Sequence, residues 1–162
     1  MTRELIGAIA ISLVALIAAL IFFSNRSLRR AQESSLPEPH TGSAVEDAIA
    51  GFYVSTVFAD APLKRVWAYG LGGRGKALLG VTANGVTIER QGERNLLIAA
   101  DQLVGVTRAS ATIDKGVERD GLLVFIWQLG DEELATHLRI VAKSERRNFE
   151  EKLTEVLGVE IG

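Results

Sequence analysis

The feature that most constrains this chain is an uninterrupted run of 19 uncharged residues, from Leu5 to Phe23. As an α-helix rising 1.5 Å per residue, the run would be about 28 Å long, close to the roughly 30 Å hydrocarbon core of a bilayer. Only Gly7 and Ser12 interrupt its apolar residues, and a membrane helix tolerates both. The run predicts a transmembrane helix over residues 5–23, preceded by a short stub of residues 1–4.

A cleaved signal peptide is the alternative interpretation of such a segment. Its apolar core would span about 7–15 residues and end in a pattern of small residues at the cleavage site. Here the run is longer, and Phe22-Phe23-Ser24-Asn25-Arg26 contains no such pattern. We therefore expect the segment to be retained as a membrane anchor.

Basic residues on the two flanks predict the orientation of the anchor. Arg26, Arg29 and Arg30 follow the apolar run, whereas Arg3 precedes it. Positive charge favours the cytoplasmic side of a membrane helix. We expect a single-pass protein of the inner (plasma) membrane, with its N-terminus outside and its C-terminal domain in the cytoplasm.

Small residues recur along one face of the predicted anchor: Ala8, Ser12, Ala15 and Ala19. Such a face lets two helices approach closely, which predicts a homodimer through the membrane segment. The alternative is that these residues face lipid, since alanine is common in membrane helices.

Residues 24–50 are expected to connect the anchor to a soluble domain. From Arg30 to Ser43 the composition becomes polar, and Pro37 and Pro39 oppose a helix. This stretch predicts a flexible tether that reaches roughly 25 Å from the bilayer. His40 has no second metal ligand nearby and is expected to be solvated.

The domain is expected to occupy residues 51–162. Just before it, Ser43-Ala44-Val45-Glu46 has the form of a capping box, which predicts a short helix that runs to Ala50 and stops at Gly51. Within the domain the dominant hydrophobic period is two, as in β-strands.

The clearest strand pair surrounds Asn84-Gly85, the preferred type I′ turn. Pairing outward from this turn places Val81 opposite Ile88 and Thr82 opposite Thr87. Apolar side chains then share one face and threonines the other, which supports a hairpin.

Other segments alternate in the same way, and the chain then changes period. The strand candidates are Asn95–Ala99, Leu103–Arg108, Leu122–Leu129, the segment from Leu134 to Ile140, and, more weakly, Phe52–Phe58 and Arg65–Tyr69. After them, Ser144 can cap a helix whose apolar stripe is Phe149, Leu153, Val156 and Leu157, ending at Gly158. The predicted fold is one transmembrane helix plus a mainly antiparallel β domain, a bent sheet or open barrel of about seven strands, with a C-terminal amphipathic helix.

Scattered residues along the domain also carry a family resemblance. They are Tyr53–Thr56, Arg65, Gly70–Gly72, Gly85-Val86, Leu97–Ala100, Lys115, Gly121–Val124, Trp127, Leu129-Gly130, Thr136 and Arg139. In this order they resemble a family of small actinobacterial membrane-anchored proteins with a single pleckstrin-homology-like (PH-like) domain. The resemblance implies the fold described above and brings no catalytic residues with it.

Composition excludes several classes of function. The net charge of −2 excludes a nucleic-acid binder built on overall basicity. The chain has no cysteine and two histidines, which excludes thiolate chemistry and multi-histidine metal sites. Because no set of nucleophile, base and orienting residue can be assembled, we expect no enzyme, no catalytic residues, no metal and no cofactor.

The glycine-rich stretch Gly70–Ala77 matches most of a phosphate-binding loop. Such a loop needs Ser or Thr after its lysine and must open into a helix, whereas Ala77 follows Lys76 and leads into the predicted hairpin. Nucleotide binding is therefore disfavoured.

Four basic residues in and before this stretch are candidates for contact with a lipid headgroup or a partner: Arg74, Lys76, Lys64 and Arg65. In lipid-binding PH domains, basic residues around an early loop hold phosphorylated headgroups, and this sequence resembles that pattern loosely. The alternative is a set of solvated loop charges.

Trp127 and Arg139 are candidates for a structural contact or for a partner contact, because matching family positions are similar. Asp131-Glu132-Glu133 is interpreted as a solvated turn.

The leading hypothesis for function is a non-enzymatic, membrane-tethered cytoplasmic module that binds a protein partner at the inner membrane face. The alternative is that the same domain binds or senses anionic lipid headgroups.

The predicted orientation can be tested with reporters fused after Gly162. Because Arg26, Arg29 and Arg30 hold their flank in the cytoplasm, a reporter that works only there should be active. Activity of an export-dependent reporter at the same position would contradict the orientation.

Overall fold

A computed structural model describes residues 2–43, 45–109 and 121–162. It contains a long helix α1 (Thr2–Ser35), seven strands and a C-terminal helix α2 (Lys143–Leu157). The strands are β1 (Ile49–Phe58), β2 (Gly75–Thr82), β3 (Gly85–Arg90), β4 (Leu96–Ala99), β5 (Leu103–Ala109), β6 (Leu122–Leu129) and β7 (Glu132–Arg139). They form one antiparallel sheet in the order β4-β3-β2-β1-β7-β6-β5. The predicted fold class is confirmed.

Helix α1 is one continuous helix, and it is long and apolar enough to cross a membrane over Leu5–Ser35. Its large apolar side chains from Leu5 to Phe23 are exposed rather than packed on the domain. The helix extends 12 residues beyond Phe23, about 18 Å. The polar end of α1 therefore projects from the apolar segment as a rigid rod.

The segment after α1 is not the flexible tether that we predicted. Leu36 is 3% exposed and belongs to the hydrophobic core of the domain. Glu38 forms an ion pair with Arg94, and the Leu97 amide donates to the His40 carbonyl at 2.8 Å. The prediction was wrong because the prolines end the helix only after Ser35, where Leu36 enters the core.

Pro37 packs against the turn between β6 and β7. Gly130 in this turn has a φ of +63°, and a Cβ there would come within 2.9 Å of the Pro37 ring. Glycine satisfies both the left-handed backbone and the close approach. The chain is thus held on the domain directly after α1.

Two predicted elements are absent from the described residues. Ala50 and Gly51 lie in β1, so the short helix predicted to end there does not form; Ala44 of its capping box lies outside the described residues. The predicted strand Arg65–Tyr69 is replaced by an isolated bridge between Val57 and Arg65 and by a 3-10 helix, Ala68–Gly70. Lys115, one of the residues of the family resemblance, is also outside the described chain.

The β2–β3 hairpin forms, but its register differs from the prediction. Val81 pairs with Val86, and Gly80 pairs with Thr87. The turn residues are therefore Ala83 and Asn84, and among the glycines of this hairpin Gly85 carries the positive φ, +136°. A Cβ at Gly85 would collide with the Ile98 carbonyl oxygen, so the close approach of β4 requires glycine at this first residue of β3.

A β-bulge at Val54 organises the interior of the sheet. Tyr53 pairs with Leu138 and Ser55 with His137, so the register shifts between them. In a regular strand, residues three apart point to opposite faces. The bulge instead turns both Tyr53 and Thr56 into the core.

These inward residues form a buried chain of hydrogen bonds. The Trp127 indole N–H donates to the Thr136 hydroxyl at 2.9 Å, and the hydroxyls of Thr136 and Thr56 are 2.7 Å apart. The Thr56 and Tyr53 hydroxyls are 2.5 Å apart, and Tyr53 donates to the Leu71 carbonyl at 2.7 Å. An indole only donates and a carbonyl only accepts, so every proton in the chain points from Trp127 towards Leu71.

Helix α2 begins at Lys143 and closes one side of the core with Phe149 and Leu153. Ser144, the predicted cap, lies inside the first turn, and Ala142 at the N-cap makes no side-chain bond. The predicted stop at Gly158 is confirmed by its left-handed φ of 65°. Beyond it, Gly162 pairs with β5, since its amide donates to Val106 at 3.0 Å.

Replacing Thr136 with Val should lower the free energy of unfolding by about 1–3 kcal/mol, because the Trp127 N–H loses its buried acceptor while the volume is conserved. Urea denaturation of the full chain in detergent measures this. The change Thr41→Val, at an exposed residue, is the matched control. An equal loss of stability in both variants would contradict the proposed contribution of the hydrogen-bonded chain.

Candidate functional site

Helix α1 and the domain are joined at the 3-10 helix Ala68–Gly70. The Gln32 carboxamide oxygen accepts hydrogen bonds from the amides of Trp67 at 2.5 Å and Ala68 at 3.1 Å. Its amide group donates to the Arg65 carbonyl at 3.2 Å. One side chain of α1 thus satisfies the backbone groups at the start of the 3-10 helix, as a capping residue does.

Tyr69 makes a second connection to α1. Its amide donates to the Glu33 carboxylate at 3.1 Å, and its hydroxyl donates to the Leu36 carbonyl at 2.8 Å. Tyr69 has a φ of 54°, a strained conformation for a residue with a side chain. Such strain persists only where the surroundings over-determine the conformation, and here α1 supplies the contacts.

Arg90 holds the same loop from the side of the sheet. It is 6% exposed, and it donates to the carbonyls of Gly70 at 2.7 Å and Arg94 at 2.8 Å. Its guanidinium lies 4.9 Å from the centre of the Tyr53 ring. Burial raises the pKa of the Tyr53 hydroxyl to about 12, so it remains a hydrogen-bond donor at neutral pH.

The four predicted basic residues are distributed over the segment after β1, the glycine-rich loop and β2. Lys64 lies 4.7 Å from the centre of the Phe58 ring, whereas Arg65 lies over Trp67 at 5.4 Å. Arg74 is exposed in the loop, and Lys76 is exposed on β2. Since β2 begins at Gly75, the phosphate-loop motif opens into a strand and lacks the helix that such a loop requires.

The arginines after the apolar run are exposed on α1. Arg29 forms an ion pair with Glu33 at 2.8 Å, one turn further along the helix. Arg26 and Arg30 precede the junction with the domain. All three basic residues therefore lie between the apolar segment and the β domain.

Trp127 and Arg139 lie on opposite faces of the sheet. Trp127 is completely buried and belongs to the hydrogen-bonded chain, so its contact is structural. Arg139 is half-buried and pairs with Phe52 on the outer face. On that face His137 pairs with Ser55, which is inaccessible to solvent. Burial lowers the pKa of the His137 imidazole.

An apolar groove crosses this outer face, between β1–β3 and the start of α2. Its volume is about 690 Å³. Three exposed apolar side chains line it, Phe52, Leu78 and Val141, and four charged residues accompany them, Lys76, Glu89, Arg90 and Glu145. Of these residues, only Lys76 was identified from the sequence. The available signal was Ala77-Leu78-Leu79, where apolar residues on both faces of a strand indicate either full burial or a contact surface.

The small residues of the predicted dimer face lie on α1, where Ala8 and Ser12 line a shallow depression together with Leu16. Homodimerisation through this face stays a prediction. Among the described residues, no group of three or more His, Asp or Glu side chains is arranged to hold a metal ion.

The model of a family described as bacterial PH domain-like matches residues 31–154, most of the chain. The chain belongs to the bacterial PH domain-like family. No curated protein and no solved structure matches it at a significant level. PH-like domains are typically non-enzymatic binding modules. Five of the residues that carried the resemblance form the buried hydrogen-bonded chain: Tyr53, Thr56, Leu71, Trp127 and Thr136.

Replacing Gln32 with Ala should loosen the junction between α1 and the PH-like domain, because it removes three hydrogen bonds worth about 1 kcal/mol each. The chain has no cysteine, so spin labels at Ser27→Cys and Glu132→Cys report one distance between helix and domain. We expect a narrow distance distribution that broadens in the Gln32→Ala variant.

The exposed Gln91→Ala change is the matched control for this experiment. A Gln32→Ala variant whose distribution is as narrow as that of the control would contradict the role of Gln32.

Proposed function

We propose that this chain is a non-enzymatic, membrane-anchored PH-like module that binds a protein partner at the inner face of the membrane. The partner occupies the apolar groove between β1–β3 and α2. The groove itself is the observation that carries this proposal. Basic residues after the apolar run support the cytoplasmic location of the domain.

Exposed apolar side chains in the groove favour a protein ligand. Leu78 is 43% exposed and Val141 is 55% exposed, and together with Phe52 they line one concave surface. A contiguous apolar patch with a polar rim is typical of protein interaction sites. A partner that inserts apolar side chains there would remove this surface from water.

The carboxylates in the groove favour a protein partner over an anionic lipid as the ligand. One carboxylate oxygen of Glu89 is buried without a hydrogen-bond donor among the described residues. Lone buried acceptors are unfavourable, and a backbone N–H or a lysine of a partner would satisfy this one. A phosphate group would place a second anion beside this acceptor, and since Lys76 and Arg90 are balanced by Glu89 and Glu145, the lining offers no net positive charge to hold it.

Headgroup binding by the four basic residues found from the sequence has less support. Lys64 and Arg65 lie over different aromatic rings, and Lys76 points to the same face as the groove carboxylates. A headgroup site needs several cations around one phosphate. The ring contacts of Lys64 and Arg65 therefore favour the groove over a headgroup site at these residues.

Site-specific photocrosslinking tests the proposal in membranes that contain the full chain. A photoreactive phenylalanine analogue at Leu78 should give one protein adduct of defined mass. Adding Phe52→Asp should reduce its yield about tenfold or more, because a central apolar contact becomes charged.

Val104 on β5 is 61% exposed and lies outside the groove. The photoreactive analogue at Val104 is therefore the control for the crosslinking position. Val104→Asp is the control for the Phe52→Asp substitution. Equal adducts from Leu78 and Val104, or a yield unaffected by Phe52→Asp, would contradict binding through the groove.

A further inference from the structure

A second cleft lies between α1 and the loop that starts with the 3-10 helix Ala68–Gly70. Its volume is about 350 Å³. Helix α1 contributes Phe22, Asn25, Arg26 and Arg29, and the domain contributes Trp67, Gly70, Gly73 and Glu93. The cleft exists because Gln32 and Glu33 hold the loop beside the helix.

The position of this cleft along α1 matches the headgroup layer of a bilayer. Phe22 belongs to the apolar run, and Arg26 lies about 5 Å beyond Phe23 along the helix axis. Arg29 lies about 9 Å beyond it. Since the headgroup layer of each leaflet is roughly 5–8 Å thick, the cleft opens where phosphate groups are found.

The side chains of the cleft suit an anion that also carries apolar tails. Arg26 forms no ion pair within the described parts of the chain, while Arg29 is paired with Glu33. Trp67 is 39% exposed, and tryptophan is enriched at this depth because its ring is apolar and its N–H is polar. Phe22 extends the apolar side of the cleft towards the hydrocarbon.

We propose that this cleft binds the phosphodiester headgroup of an anionic phospholipid. Arg26 and Arg29 bind the phosphate, and Trp67 and Phe22 contact the glycerol backbone and the first methylene groups. Both arginines lie on α1 before residues 31–154, which match the family, whereas Trp67 and Glu93 lie within them. It is separate from the groove and does not depend on a protein partner there.

Glu93 sets the selectivity of the cleft. Its carboxylate lies close to Gly70 and Gly73, on the domain side of the cleft. A phosphate therefore binds on the arginine-lined side, at α1, and a headgroup with hydroxyl or amino donors reaches towards Glu93. Phosphatidylglycerol, with one negative charge and two free hydroxyls, has this chemistry.

Native mass spectrometry of the purified full chain in a neutral detergent tests the proposal. Phosphatidylglycerol should bind more tightly than phosphatidylcholine, and Arg26→Gln/Arg29→Gln should weaken phosphatidylglycerol binding roughly thirtyfold. Arg26→Gln alone should weaken it about fivefold. Glycerol 3-phosphate, which has the phosphate without the tails, should compete only weakly.

Lys143→Gln/Arg147→Gln on α2 removes the same charge outside the cleft and should leave binding unchanged. An equal loss in this control, or no preference for phosphatidylglycerol, would overturn the proposal. Strong competition by glycerol 3-phosphate would also overturn it, because the ligand would then be a soluble phosphate ester.

Discussion

The loop after the 3-10 helix depends on a one-way chain of hydrogen bonds that ends at its Leu71 carbonyl. The chain starts at the Trp127 indole and passes through three hydroxyl groups. Each hydroxyl donates once and accepts once, so removing any member leaves a buried polar group without its partner. The loop is consequently held by the core of the sheet, although it lies at the edge of the domain.

Helix α1 is positioned by this loop. Gln32 bonds the start of the 3-10 helix, and Leu36 continues directly into the core. These contacts join the apolar segment to the domain that carries the groove, and the cleft lies at their junction. A protein partner in the groove would sit at a defined distance from the bilayer, which a flexible tether could not provide.

Elements with regular periodicity could be predicted from the sequence, and elements that depend on distant partners could not. The alternating apolar residues of β2, β3 and β6 were sufficient to predict these strands. The apolar stripe of α2 was sufficient to predict the helix. The bulge at Val54 gave no local signal, so the common direction of Tyr53 and Thr56 was not foreseen. The end of α1 depended on bonds between Gln32 and a residue 35 positions away.

The candidate sites show the same division. Residue type alone identified the basic side chains, including Arg26 and Arg29. Whether such charges share a site depends on the path of the glycine-rich loop. The sequence does not determine this path, because glycine allows many backbone conformations. The groove was missed because Phe52, Leu78 and Val141 come from three separate segments that only the sheet register brings together.

Both outer strands of the sheet are shielded by the ends of the domain itself. His40 accepts a hydrogen bond from β4, and Gly162 bonds with Val106 and Arg108 of β5. An open strand edge is a template for pairing with another chain, and copies that a membrane anchor confined to one layer would meet such edges often. These hydrogen bonds occupy backbone groups at both edges that could otherwise pair with a second copy, which favours contacts through side-chain surfaces that single substitutions can tune.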